Sequence, residues 1–224
     1  MSFGLARGKI LDVGDIGIDM RSLPSIEDGR IDPRKWFKDQ SATFEIEIGS
    51  GKGTFLLQEA QQRPEPNYLG FEWASEFYRY AADRIRRNHL LNVRVMHGDA
   101  TEFLRFWCQD NVADVIHLYF SDPWPKKRHH KRRVIQHQTL ETFHRVLKPD
   151  GIIHIVTDHD ALWQWCEEHF GCTTHLFTRS PFDMATSASE GELVGTNFER
   201  KYRKEGRPFY ATTLKRVNTC IEKA

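Results

Sequence analysis

Thr43-Phe44-Glu45-Ile46-Glu47-Ile48-Gly49-Ser50-Gly51-Lys52-Gly53 sets the architecture of this chain. Residues 43–48 read as a strand, and glycines at 49, 51 and 53 permit a tight turn whose backbone amides can approach a ligand closely. Residues 53–63 then read as a helix. A strand, a glycine turn and a helix in immediate succession form the opening unit of an α/β sheet.

The alternation continues outward from this unit. Strands are predicted over 68–71, 92–97, 113–120, 152–157 and 172–178, with helices over 75–88, 101–108, 133–147 and 161–170 between them. Phe77, Ala81 and Ile85 repeat at four-residue spacing, which marks the buried face of the second helix. Pro149-Asp150-Gly151 is a turn signal closing the 133–147 helix. The rhythm breaks at the end: 196–205 reads as a helix and 208–214 as a strand. With only Gly206-Arg207 between them, that last strand can enter the sheet antiparallel. The expected fold is therefore α/β, a Rossmann-like doubly wound sheet of seven strands, mostly parallel, with an antiparallel last strand. Residues 1–40 carry Gly, Pro and Asp without clear periodicity and read as an irregular arm; residues 41–224 read as one domain.

Composition narrows the class. A chain of 224 residues, 39% hydrophobic and 12% aromatic, can bury one continuous core. The four cysteines, 108, 166, 172 and 220, form no C-x-x-C pair, so neither a disulfide scaffold nor a zinc knuckle is indicated. The eleven histidines show no H-x-x-x-H or H-E-x-x-H arrangement with nearby cysteines, and no metal is required. No apolar stretch reaches the ~20 residues needed to span a bilayer, and residues 1–20 lack a secretory core. A cytoplasmic protein with no membrane association is expected.

The strand ends carry the chemistry. Glu47 precedes the glycine turn, whose spacing is G-x-G-x-G rather than the G-x-G-x-x-G of dinucleotide sites. A carboxylate there repels pyrophosphate but attracts the ammonium of an amino-acid moiety. S-adenosylmethionine has that group and no phosphates, so the turn favours a methyl donor over a nicotinamide dinucleotide. Glu72 ends the second strand, 21 residues beyond Gly51, where an acid can accept hydrogen bonds from a ribose. Asp99 ends the third. Taken singly, Glu72 could be a solvated loop residue and Asp99 a helix cap; three acids at three successive strand ends point to a site.

At the fourth strand end stands Asp122-Pro123-Trp124-Pro125-Lys126, where two prolines stop the ladder. Six of the eight residues 126–133 are Lys or Arg, and a second basic group, Arg200, Lys201, Arg203, Lys204 and Arg207, is interleaved with Phe198, Tyr202 and Phe209. With a net charge of only +1, these clusters rather than the total would meet a polyanion. Trp124 can either stack on an extruded base or pack in the core. Asp158, after the strand at 152–157, can cap a helix or face a substrate.

Five motifs in order, residues 47–53, Gly70-Phe71-Glu72, Gly98-Asp99-Ala100, Asp122 to His129, and Thr196-Asn197-Phe198-Glu199-Arg200-Lys201-Tyr202, resemble those of the bacterial tRNA (guanine-N7-)-methyltransferases. The likeness runs from about Phe44 to Leu214; the arm matches nothing recognisable. The resemblance implies methylation of a guanine in the tRNA variable loop by a monomer or homodimer. It implies that Glu47, Glu72, Asp99 and Asp122 contact S-adenosylmethionine, with Gly49 and Gly51 in the turn, and that Asp122 is also the catalytic residue. Lys126, Asp158 and the segment Thr196, Asn197, Phe198 and Glu199 would bind the substrate. A methyltransferase for another structured RNA and a nicotinamide-dependent oxidoreductase are the alternatives.

Overall fold

Phe44, Ile46 and Ile48 alternate with Glu45 and Glu47, and all five are buried, because helices cover both faces of the strand they form. The computed structural model describes residues 11–218. The first part of the arm and Cys220 lie outside the described residues. Strands β1 (Gly17–Asp19), β2 (Phe44–Ile48), β3 (Asn67–Glu72), β4 (Val93–His97), β5 (Ala113–Tyr119), β6 (Leu147–Thr157), β7 (Phe177–Ser180) and β8 (Tyr210–Arg216) form one sheet in the order β1-β4-β3-β2-β5-β6-β8-β7. All ladders are parallel except those that β8 makes with β6 and β7. The antiparallel last strand is as expected from the short Gly206-Arg207 link.

The structure corrects the expectation in several places, and the strand expected over 172–178 is confined to Phe177–Ser180 because the helix before it runs on to Cys172. The sheet has eight strands, not seven, because the arm donates β1 to its outer edge beside β4. The 133–147 helix is shorter: residues Lys127–Arg132 form a 3-10 turn, and α4 spans only His137–Val146. Pro149-Asp150-Gly151 does not end the helix but sits inside β6 as an irregularity, with Asp150 at φ +64° and a register shift against β5 between Ala113 and Val115.

Helices α1 (Thr54–Gln62), α2 (Ser75–Arg87), α3 (Ala100–Phe106), α5 (Asp160–Cys172) and α6 (Asn197–Lys204) complete the regular structure. The largest core cluster gathers Ile46, Phe71, Phe103, Leu118, Phe143 and Ile155 with residues of α3, α4 and α5 on one side of the sheet. On the other side, Leu56, Tyr68, Ala81 and Ile85 join α1 to α2, while Phe55, Tyr119, Val156 and Val194 lie beneath the segment before α6. The first turns of α1 to α3 consequently gather at the carboxyl edge of the sheet, beside the strand change between β2 and β5 where doubly wound folds hold ligands.

Candidate functional site

The glycine turn is held by backbone. Gly49 and Ser50 both donate to the Phe71 carbonyl, at 2.9 and 2.8 Å, and Gly53 donates to Ser50 at 2.8 Å. Gly51 sits at φ +53°, in the left-handed region, and the position of a Cβ on it would lie 3.7 Å from the Phe198 ring. Its amide donates to Glu72 Oε2 at 2.8 Å, and the Ala74 amide donates to Oε1 at the same distance. Glu72 thus ties the turn to the start of α2. Burial raises its pKa; those two amides oppose the rise and the Asp122 charge adds to it. The second and fourth strand-end acids therefore share one field.

Glu47 is buried, at 4% exposure, and its Oε2 has no well-formed hydrogen bond among the described residues, although the Ser50 hydroxyl lies close enough to favour the charged carboxylate. Burial pushes the Glu47 carboxyl up to about 8, with Ser50 opposing and Glu72 adding to the shift. A buried acid without a partner is costly. Its oxygen is left for a donor that the protein does not supply.

Asp99 caps α3: its Oδ1 accepts from the Thr101 amide at 2.8 Å, the Glu102 amide at 3.2 Å and Thr101 Oγ1 at 2.7 Å. The cap leaves the residue at the third strand end, so the two readings of Asp99 are compatible.

Asp122 is exposed and stands between Phe120 and Trp124, whose φ values of +52° and +44° are rare for side chains of this size. Such backbone costs on the order of 1–3 kcal/mol per residue and persists only where the surroundings enforce it. Two contacts do so here. The Phe120 amide donates to Val156 at 2.8 Å, and Arg133 Nε donates to the Pro123 carbonyl at 2.9 Å. Arg133 is buried, with its guanidinium 5.0 Å from the Trp165 ring centre. The basic run therefore ends its solvent face at Arg132, and Arg133 braces the Asp122 loop. Trp124 is half-buried, with Arg132 4.9 Å above its ring and His129 edge-on at 5.7 Å. Lys126 is exposed and stands just before the 3-10 turn Lys127–Arg132, with no side-chain bond to it.

The substrate-side candidates divide. Asp158 accepts from Arg207 at 2.7 Å, and Arg207 lies 4.1 Å from the Tyr202 ring centre; Tyr202 in turn meets Phe120 at 6.0 Å. Asn197 Nδ2 donates to Thr54 Oγ1 at 3.0 Å, and Phe198, 49% exposed, reaches the glycine turn. Thr196 caps α6 by accepting from the Glu199 amide at 3.1 Å. Glu199 departs from its expected place: it is 0% exposed and accepts from the amides of Leu193, Val194 and Gly195 at 2.6 to 3.0 Å and from Arg203. Its carboxylate braces the segment before α6 instead of facing a base. The second basic group is also smaller than the sequence suggests, because Arg200 pairs with Glu192, Arg203 with Glu199 and Arg207 with Asp158, each at 2.7 Å.

The geometry thus joins Glu47, Gly49, Gly51 and Glu72 to Asp122, Asn197 and Phe198 around one edge, with Asp99 beside it. Sequence reasoning counts Arg133 and Arg207 only as charges in the basic clusters and gives Ser50 no role of its own. Ser50, inside the glycine turn, is the one with a sequence signal. Among the described residues no group of three or more metal-ligating side chains converges, and no helix is long and apolar enough to cross a membrane.

This fold is that of the Rossmann-like methyltransferases: the crystal structure of the aminoglycoside resistance methyltransferase NpmB1 superposes with a TM-score of 0.55 at 18% identity, covering 79% of this chain and 89% of that one. A family model described as putative methyltransferase matches residues 41–212. The tRNA (guanine-N(7)-)-methyltransferase of Enterococcus faecalis (strain ATCC 700802 / V583) is 35% identical over 184 residues, 80% of this chain and 85% of that protein. That of Streptococcus thermophilus (strain CNRZ 1066) is 33% identical over 165 residues, 74% and 76% of the two chains. The chain belongs to the tRNA (guanine-N7-)-methyltransferase family.

Proposed function

We propose that the chain transfers a methyl group from S-adenosylmethionine to N7 of a guanine in the variable loop of tRNA, in the cytoplasm, with Asp122 at the reacting edge. The observation that supports this most is the buried, partnerless Glu47 oxygen beside the glycine turn. It fits the donor's ammonium, and a phosphate-bearing coenzyme would meet an acid there instead. Glu47 would hold that ammonium, the open side of Gly49 leaves room beside it, and Glu72 and Asp99 would take the ribose and adenine ends. When bound, the donor supplies an electrophilic methyl on a sulfonium.

Guanine N7 already presents a lone pair on the major-groove edge, and its methylation releases no proton. A strong general base is therefore not needed. Holding nucleophile and methyl in line is worth ~7–11 kcal/mol. The Asp122 carboxylate, fixed by the strained Phe120 and Trp124 backbone, accepts from guanine's own N–H donors and offsets the developing ring charge. Phe198 and Tyr202, 6.0 Å apart, offer aromatic faces near it.

Replacing Asp122 by Ala should lower tritiated-methyl incorporation into unmodified tRNA by about 10²–10³-fold. Affinity for S-adenosylhomocysteine should fall much less. Turnover at the parental rate in that variant removes Asp122 from the mechanism.

A further inference from the structure

The arm packs where the third strand-end acid stands. β1 pairs with β4 in the register Gly17↔Val95, Ile18↔Met96 and Asp19↔His97, which carries the next arm residue, Met20, alongside Gly98. The contact is close enough to explain the glycine. A Cβ at position 98 would lie 2.7 Å from Met20 Cβ and 2.8 Å from its Sδ, closer than carbon side chains tolerate.

The arm is fastened on both sides of this contact. Asp19 lies 3.5 Å from His97 Nδ1, and Tyr78 stacks on the His97 ring at 5.1 Å. Further along, Trp107 Nε1 donates to the Pro24 carbonyl at 2.9 Å, and Ile31 bridges to the chain at Cys108. The arm therefore spans α3 from its capped start to its end. An open groove of about 430 Å³ remains between them, lined by Met20, Arg21, Leu23, Ile26, Glu102 and Trp107. The family match begins at residue 41, so this wall lies outside the matched region.

We infer that Met20 is a donor-affinity residue contributed by the arm: its side chain covers Gly98 at the strand end Gly98-Asp99-Ala100, where the adenine of the methyl donor would lie against it. This rests on the reading of Asp99 as the adenine end of the site. A polarizable thioether beside a flat π-face suits that role, and sulfur–aromatic contacts are favourable. Met20 is half-buried and packs against the edge of the largest core cluster, so the melting temperature of Met20→Ala is read alongside its affinities.

The test is calorimetric titration of the full chain with S-adenosylhomocysteine and, separately, with 5′-methylthioadenosine, which keeps the adenine and lacks the amino-acid end. Met20→Ala should weaken both by the same factor, about fivefold, whereas Met20→Leu, which keeps the bulk and loses the sulfur, should weaken both by a smaller factor, about twofold. Gly98→Ala, which pushes Met20 outward, should reproduce the loss. A contact that only steadies the arm would lower the melting temperature and leave both affinities unchanged, and that result overturns the inference. If Met20→Ala is silent while Asp99→Ala weakens binding, the inference fails and the donor site stands. If both are silent, the donor reading fails with it.

Discussion

Glu45 and Glu47 leave β2 on the same face, two residues apart, and both are buried; one has its partners and the other does not. Glu45 accepts from Arg63 at 2.8 Å and lies 2.8 Å from His117 Nε2, while His117 Nδ1 lies 2.7 Å from the Tyr119 hydroxyl. Arg63 also pairs with the buried Glu59, whose other oxygen accepts from the Ser187 amide at 2.9 Å. Burial alone would raise the Glu45 pKa, but His117 and Arg63 outweigh it and hold the carboxyl below its ordinary range. At Glu47 the same burial meets no cation, and the pKa rises to about 8. The difference separates two uses of a buried acid. The Glu45–Arg63–Glu59 network locks α1 and the 181–196 segment over the sheet, and under the proposed function Glu47 is held for a ligand cation.

Substitution should move these two acids in opposite directions. Glu45→Ala leaves His117 Nε2 without its partner and Arg63 with only Glu59; disrupting a largely buried network in this way costs about 3–5 kcal/mol. Its melting temperature should fall by about 6–20 °C at pH 7, read by differential scanning calorimetry. A fall of a degree or less would show that the network is not structural. Glu47→Gln should melt no lower than the parent, and higher at neutral pH. Because the folded pKa of about 8 lies above the unfolded one, Glu47 favours folding fully only below the unfolded value. That contribution is lost as pH rises through the folded value. The advantage of the Gln variant should therefore grow from about pH 4.3 to pH 8 and then level off. A melting-temperature difference that is flat across this range would mean that the Glu47 carboxyl is solvated.

How far this contrast was legible in the sequence depends on which partner lies nearby in the chain. Glu47, Glu72 and Asp122 could be picked out because each stands at or beside a strand end that the sequence marks. The alternation Phe44-Glu45-Ile46-Glu47-Ile48 looks half-solvated, and only tertiary cover by α1 and residues 181–196 buries its polar side. The family resemblance implies that Glu199 faces the substrate, yet the amides of residues 193–195 enclose it. Strand β1 has three residues, too few to show a period-two pattern. Arg133 reads as one more charge in a basic run; its burial follows from the distant Trp165 ring.

Exposed charge forms the third term of the comparison and carries the smallest effect. Lys127 and Lys131, on the solvated 3-10 turn, should contribute through released counterions rather than through defined pairs. Replacing both with Ala should lower the slope of log K against log salt for tRNA binding by about 1–2 units, with donor affinity unchanged. An unaltered slope would move the RNA footprint elsewhere, and the α6 arginines that are already paired inside the protein are poor substitutes.

Under the proposed function the Glu47 oxygen waits for an ammonium. Calorimetric titration of S-adenosylhomocysteine at pH 7, run in buffers of different ionisation enthalpy, counts the protons that leave on binding. With the free carboxyl titrating near 8, the parent should release about one proton and the Glu47→Gln variant none. Tight binding by the parent with no proton released would contradict the account.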